Sequence, residues 1–210
     1  MIGIINYGLG NVQAFHDLYK RLNIESTIVS CPADVRKADK LLLPGVGSFD
    51  WAMHRLNESG LRDALEEMVL GQKIPILGVC VGMQMLGHRS EEGRLPGLGW
   101  IEGEVHRFPH SVDGNRLQLP HMGWNDIAVK NGCPLLRGLE SNVRFYFLHS
   151  YFMVPANKSE EAAVTEYAGM NFTSVVCRKN IYGVQFHPEK SHGWGLQLLK
   201  NFAEMPISEE

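Results

Sequence analysis

The feature that most constrains this chain is the passage from Ile74-Pro75-Ile76-Leu77-Gly78-Val79 straight into Cys80-Val81-Gly82-Met83-Gln84. Six mostly apolar residues bounded by Pro75 and Gly78 are too few for a helix and suit a strand buried on both faces. The residues after Cys80 have helical character, so the chain must pass from a central strand into a helix within one tight turn. The first 90 residues repeat the same logic. Ile2 to Tyr7, Thr27 to Val29 and Lys40 to Leu43 read as strands, and Val12, Phe15, Tyr19 and Leu22 fall at the spacing of an amphipathic helix. Trp51 to Asn57 and Leu61 to Leu70 read as further helices. Strands alternating with helices predict a parallel sheet with helices on its faces.

Beyond about residue 95 the runs become shorter and are punctuated by Gly, Pro and Asn: Trp100 to Phe108, Asn125 to Val129, Arg144 to Phe152, Ala163 to Tyr167, Ser174 to Arg178 and Ile181 to Phe186. These predict antiparallel additions, and the two residues Lys179 and Asn180 between the last two runs predict a hairpin. Leu196, Leu199, Phe202 and Ala203 predict a closing helix. The expectation is an α/β fold with a doubly wound, mostly parallel sheet and antiparallel additions at one edge. It forms a single domain over residues 1–210, with the strand-to-helix turn at its centre and any site at the carboxyl ends of the parallel strands.

Charge and cysteine use then exclude several functions. The 20 basic and 23 acidic side chains give a formal charge of −3 with no run of five like charges, which offers nothing to a nucleic acid. No stretch approaches a membrane span, and the amino terminus lacks the basic segment of an export signal. The four cysteines are 44 to 53 residues apart with no C-x-x-C pair, so neither a metal site nor a disulfide framework is expected. Free thiols suit a reducing cytoplasm. Gly8-Leu9-Gly10 stands where a dinucleotide fingerprint would begin, but the third glycine position is Gln13 and the motif fails.

Gly78-Val79-Cys80-Val81-Gly82 has the form of a nucleophile elbow, in which the nucleophile occupies a strained turn and glycine leaves room on either side. At this chain's composition, G-x-C-x-G-x-Q is expected roughly 0.001 times by chance. A packed structural cysteine would explain a buried thiol but not the flanking glycines. Of the nine histidines, His187 directly follows a β run and precedes Pro188, which sets it at the sheet's carboxyl edge, and Glu189 is placed to fix its tautomer. The backbone N–H of Val81 is an oxyanion donor inherent to an elbow. Pro44-Gly45-Val46-Gly47 is a loop whose glycines let a peptide plane turn over at little steric cost, although alone it reads as a turn between strand and helix.

PGVG at 44–47, GVCVGMQ at 78–84 and GVQFHPEKS at 183–191, in that order, resemble the triad-type (class I) glutamine amidotransferases. LPHMGWN at 119–125 and FYFLHSY at 145–151 resemble, more narrowly, the glutaminase subunit of imidazole glycerol phosphate synthase. The resemblance implies a triad of Cys80, His187 and Glu189, with an oxyanion hole from Val81 and the Val46-Gly47 segment. It further implies a glutamine site at Gly45, Gln84 and Ser150. The reaction would yield glutamate and ammonia through a cysteinyl thioester, without cofactor or metal. The ammonia would pass to a (β/α)₈ cyclase partner in a heterodimer, met through Met122, Trp124, Asn125 and Lys190. Tyr7-Gly8-Leu9-Gly10-Asn11 and GRLPGLGWIEGEV also resemble a paralogous branch that supplies ammonia to a ligase amidinating a nucleotide-linked sugar. Both readings share every catalytic residue.

Overall fold

The computed structural model describes residues 1–112, 114–130 and 132–206. The amino-terminal part runs β1 (Ile2–Ile5), α1 (Val12–Arg21), β2 (Ser26–Val29), α2 (Pro32–Val35), β3 (Lys40–Gly45), α3 (Phe49–Glu58) and α4 (Arg62–Glu66). A π-helical turn (Glu67–Gly71) leads to β4 (Ile76–Cys80) and α5 (Val81–Met85). Then come β5 (Arg89–Ser90), β6 (Gly103–Arg107), β7 (Ser111–Val112), β8 (Asn115–Arg116), β9 (His121–Asp126) and β10 (Ala128–Val129). The chain closes through β11 (Arg144–His149), β12 (Tyr151–Pro155), β13 (Glu161–Tyr167), β14 (Met170–Arg178), β15 (Ile181–Val184) and α6 (His192–Glu204).

The main sheet has the order β10-β13-β14-β15-β4-β3-β1-β2. Its last five strands are mutually parallel, and β14, β13 and β10 add antiparallel at one edge, as the punctuated second half of the sequence predicts. Every residue of β3, β4 and β15 is buried, so helices must cover both faces. Adjacent residues of β15 show this directly. Tyr182 packs its ring 6.3 Å from that of Phe202 on α6, whereas Gly183 faces Met83 on α5. The doubly wound arrangement thus has α6 and α5 on opposite faces.

The amphipathic stripe of α1 buries Phe15 and Tyr19 completely, the Phe15 ring contributing roughly 1.5–3 kcal/mol by its removal from water, and the Asn11 side chain accepts from Ala14 N to cap the first turn. The hairpin at Lys179-Asn180 forms with Arg178 opposite Ile181, and Lys179 takes the positive φ (52°) that a two-residue connection requires. Gln13 is exposed and donates to Asp17, so the Gly8–Gly10 turn is only a strand-to-helix connection. Lys40, buried at the start of β3, directs its ammonium to the carbonyls of Ala203 and Met205 at the carboxyl end of α6. A buried cation is tolerated there because those carbonyls have no partner within the helix.

Several strand boundaries differ from the sequence reading: β6 begins at Gly103, not Trp100, β14 begins at Met170, not Ser174, and two further differences shape the site. The apparent single run Arg144 to Phe152 is two strands broken at Ser150: β11 pairs with β9 in a two-stranded ribbon, and β12 pairs with β6 in a separate three-stranded sheet. Ser150 gives its carbonyl to Phe108 N, which fixes the switch between sheets. The run beginning at Asn125 starts instead at His121 and is interrupted at Ile127. The β9–β11 ribbon is held over the carboxyl end of β15, because His187 N donates to Tyr146 O and Tyr146 N donates to Ser191 Oγ.

Candidate active site

Cys80 is the last residue of β4 and the cap of α5, with φ 54° and ψ −112°, a conformation a non-glycine residue holds only when its surroundings enforce it. The glycines explain how. A Cβ on Gly82 would collide with the Leu43 carbonyl of β3, and one on Gly78 would lie 2.7 Å from Gly82 O. The turn therefore folds back onto its own strand and the adjacent one, and the amino terminus of α5 is aimed at the sulfur. A helix amino terminus favours negative charge there.

His187 follows β15, the parallel neighbour of β4, so its ring and the Cys80 sulfur stand over adjacent strand ends. Its Nδ1 lies 2.8 Å from Glu189 Oε1, with both side chains about 95% buried. Burial alone would lower the pKa of His187, but contact with the Cys80 sulfur and the Glu189 carboxylate outweighs it and pushes the value up to about 10. The ring is held as an imidazolium between sulfur and carboxylate. Glu189 Oε2 is also buried and has no partner among the described residues, which leaves the carboxylate's charge concentrated on His187.

A cavity of about 320 Å³ opens over the sulfur. Val46, Gly47, Cys80, Val81, Gln84, Ser150, His187 and Lys190 line it, which gathers most of the residues expected from sequence around one space. Gly47 has φ 86°, and Val46 beside it is exposed. Gly45 stays in extended backbone against the elbow, where a Cβ would meet Gly82 N, so it packs the turn and does not line the cavity. Gln84 is buried, with Nε2 donating to Tyr151 O (3.0 Å) and to Gln185 Oε1 (3.1 Å). Among the described residues no group of three or more His, Cys, Asp or Glu is assembled that could hold a metal ion.

The residues expected at a partner face separate into two kinds. Met122 (63% exposed) and Trp124 (41%) point outward from β9, and Lys190 lies at the cavity edge with its ammonium 5.7 Å from the Tyr146 ring. Asn125 is turned inward instead: Nδ2 reaches His121 Nε2 (3.2 Å) and donates to Glu166 O (2.8 Å). Strand alternation separates it from Met122 and Trp124.

Several residues around the cavity had no role read from the sequence, Pro120, His149 and Tyr151 among them, and three others touch the sulfur or carry charge. Gln185, fully buried, donates from Nε2 to the Cys80 sulfur at 3.7 Å. Leu148 O lies 3.9 Å from the same sulfur. Glu92 projects from the 88–98 loop, accepts from Phe49 N (2.8 Å) at the start of α3, and has its pKa raised by burial and by neighbouring Asp50. Gln185 lies inside the GVQFHPEKS segment and Leu148 inside FYFLHSY, but Glu92 sits in a loop whose two Glu are balanced by two Arg, with no pattern to single it out.

A thiol on an elbow, an imidazolium beside it and a buried carboxylate behind the ring define a cysteine acyl-transfer site on an α/β sheet. The glutamine amidotransferase class-I family pattern matches residues 3–205, and the chain belongs to that family. Within it, the chain is 51% identical over 205 residues to the imidazole glycerol phosphate synthase subunit HisH of Bdellovibrio bacteriovorus, covering 98% of this chain and all of the relative. The subunit HisH of Leptospira interrogans is 49% identical over the same coverage, and HisH 2 of Pseudomonas aeruginosa 46%. Among solved structures, a glutamine amidotransferase superposes with TM-score 0.72 at 20% identity, covering 97% of this chain and 99% of the other. A glutamine amidotransferase of Thermotoga maritima gives 0.67 at 15%, covering 97% and 98%. No helix among the described residues is long and apolar enough to cross a membrane.

Proposed function

We propose that the chain is the glutaminase subunit of imidazole glycerol phosphate synthase, working in the cytoplasm beside a (β/α)₈ cyclase subunit. The observation that carries the glutaminase chemistry is the placement of Cys80, His187 and the elbow N–H of Val81 around one cavity of about 320 Å³. Cys80 as thiolate attacks the carboxamide carbon of glutamine, and the resulting oxyanion is met by Val81 N–H and a donor from Val46-Gly47. The imidazolium of His187 gives its proton to the departing ammonia, which leaves a γ-glutamyl thioester. Neutral His187 then takes a proton from water as the water attacks the thioester, and glutamate leaves with the thiolate restored. Glutamine and water are consumed, and glutamate and ammonia are formed.

Free glutamine carries an α-ammonium, and Glu92 supplies the cavity with a carboxylate in position to receive it. Its raised pKa fits a group whose charge is incompletely compensated until a cation arrives. Gln84 and the Ser150 backbone form the opposite wall.

The choice of acceptor rests on the relatives, three of which bear the name of the histidine-pathway synthase at 46 to 51% identity across nearly the whole chain. Those names favour the cyclase over the nucleotide-sugar ligase, whose glutaminase would use the same catalytic residues. Exposed Met122 and Trp124 on β9 supply an apolar face beside the cavity for the partner. The test is complementation. Co-expressed with its native cyclase partner in a strain lacking its own glutaminase subunit, the chain should restore growth without histidine. Failure there, together with ammonia-dependent modification of a nucleotide sugar by a neighbouring ligase, would reassign the acceptor and leave the triad intact.

A further inference from the structure

His121 and His149 face each other across the β9–β11 ribbon, both buried and outside the triad, with His149 at the wall of the cavity. Their hydrogen bonds permit one proton arrangement. His149 Nδ1 is 2.8 Å from the Tyr151 carbonyl, which can only accept, so Nδ1 carries the proton. His149 Nε2 must then accept, at 3.0 Å, from His121 Nδ1–H. His121 Nε2 is left as an acceptor, and Asn125 Nδ2 donates to it at 3.2 Å. Burial, which dominates both environments, pushes His149 down to about 3 and His121 down to about 4, so both rings are neutral at physiological pH. The His121 ring is also stacked on Phe147 (4.8 Å) and Tyr167 (4.1 Å).

At its inner end this pair joins the glutaminase site. The Tyr151 carbonyl that receives His149 also receives Gln84 Nε2, and Gln84 bonds in turn to Gln185, whose amide reaches the Cys80 sulfur. At its outer end it sits on β9, whose next residues on the opposite face are Met122 and Trp124. β9 pairs with β11 alone among the described strands and rests on β13 through Asn125 and the His121–Tyr167 stack, so a push on its exposed side bears on His121.

We propose that His121 and His149 are positioning residues that couple the partner face of β9 to the Cys80 site. Pressure on Met122 and Trp124 displaces His121, and the displacement passes through His149 to the Tyr151 carbonyl and the Gln84–Gln185 pair that contacts the nucleophile. The inference rests on the glutaminase-subunit reading above and adds the route by which a partner would alter that site.

The test is His121→Phe, which keeps the stack on Phe147 and Tyr167 and removes both ring nitrogens. Glutamine turnover is measured for the isolated chain and at saturating cyclase subunit with acceptor ligand bound, and partner affinity is titrated separately. The expected result is an about tenfold loss of the partner's stimulation, within the range usual for site-to-site coupling, with the isolated-chain rate and partner affinity unchanged. His121→Gln, whose amide can both donate and accept, should retain more stimulation. Unchanged stimulation in His121→Phe would overturn the proposal, and so would a loss in which the basal rate and partner affinity fall together, since that marks a merely structural role. Should His121→Phe fail to fold, side-chain ¹⁵N spectra of the unaltered chain decide. His121 and His149 signals should shift when the cyclase subunit is added, and fixed signals would overturn it. Absence of glutamine turnover in the unaltered complex would instead remove the glutaminase reading, and this coupling with it.

Discussion

Two residues apart in sequence, His187 and Glu189 meet at 2.8 Å with both side chains about 95% buried and the ring on the wall of the cavity. Burial alone would lower the pKa of the ring, but contact with the Cys80 sulfur and with this carboxylate outweighs it, so folding raises the value from 6.5 to about 10. The stabilisation from this charged arrangement is complete below pH 6.5 and drains as the pH climbs through about 10, where the folded protein loses the proton. Chemical denaturation across pH 6 to 10.5 should show unfolding free energy falling toward the alkaline end, and Glu189→Gln should flatten that fall. In the complex with its partner, Glu189→Gln should also lower kcat by roughly 10²- to 10⁴-fold, the range for losing an oriented acid–base group. A variant with normal turnover would show that the carboxylate does not orient the ring.

The elbow predicts a stability effect at a buried glycine. Gly82→Ala places a methyl group against the backbone carbonyl of Leu43, which cannot move without breaking the β3–β4 pairing. Overpacking of this kind costs about 1–3 kcal/mol, so the urea midpoint should drop, with glutamine turnover lost even in the folded fraction because Cys80 is displaced. A fully stable, active Gly82→Ala protein would mean that the strand-to-helix turn is looser than its geometry.

Glu92 separates binding from chemistry. Glu92→Gln preserves an acceptor for Phe49 N and deletes the charge, so thermal stability should hold. An interaction with a charged group contributes about 1.5–3 kcal/mol, and its loss should raise the KM for glutamine by roughly 10- to 100-fold with kcat little changed. An unaltered KM would place the substrate's ammonium elsewhere.

Which of these residues could be read from the sequence depends on how local their signals are. The elbow was legible because G-x-C-x-G encodes its own steric requirement within five residues, and the β14–β15 hairpin because Lys179-Asn180 is a two-residue gap between apolar runs. The break at Ser150 was not, because both halves of Arg144 to Phe152 have strand composition and only pairing with β9 on one side and β6 on the other divides them. Reading β9 from Asn125 hid the alternation that sends Met122 and Trp124 outward and His121 and Asn125 inward. Glu92 was invisible for a different reason. Its place in the cavity comes from the loop's packing on the start of α3, a contact 43 residues away in sequence.

The most direct measurement of the central claim compares two nitrogen sources in the Cys80→Ser complex. Only splitting of the amide needs the thiolate, whereas ammonia can enter the partner unaided. Glutamine-dependent synthesis by the complex should be abolished in Cys80→Ser while synthesis from an ammonium salt continues at the rate of the unaltered protein. Substantial release of glutamate from glutamine by Cys80→Ser would contradict the account, since the hydrolysis would then proceed without its nucleophile.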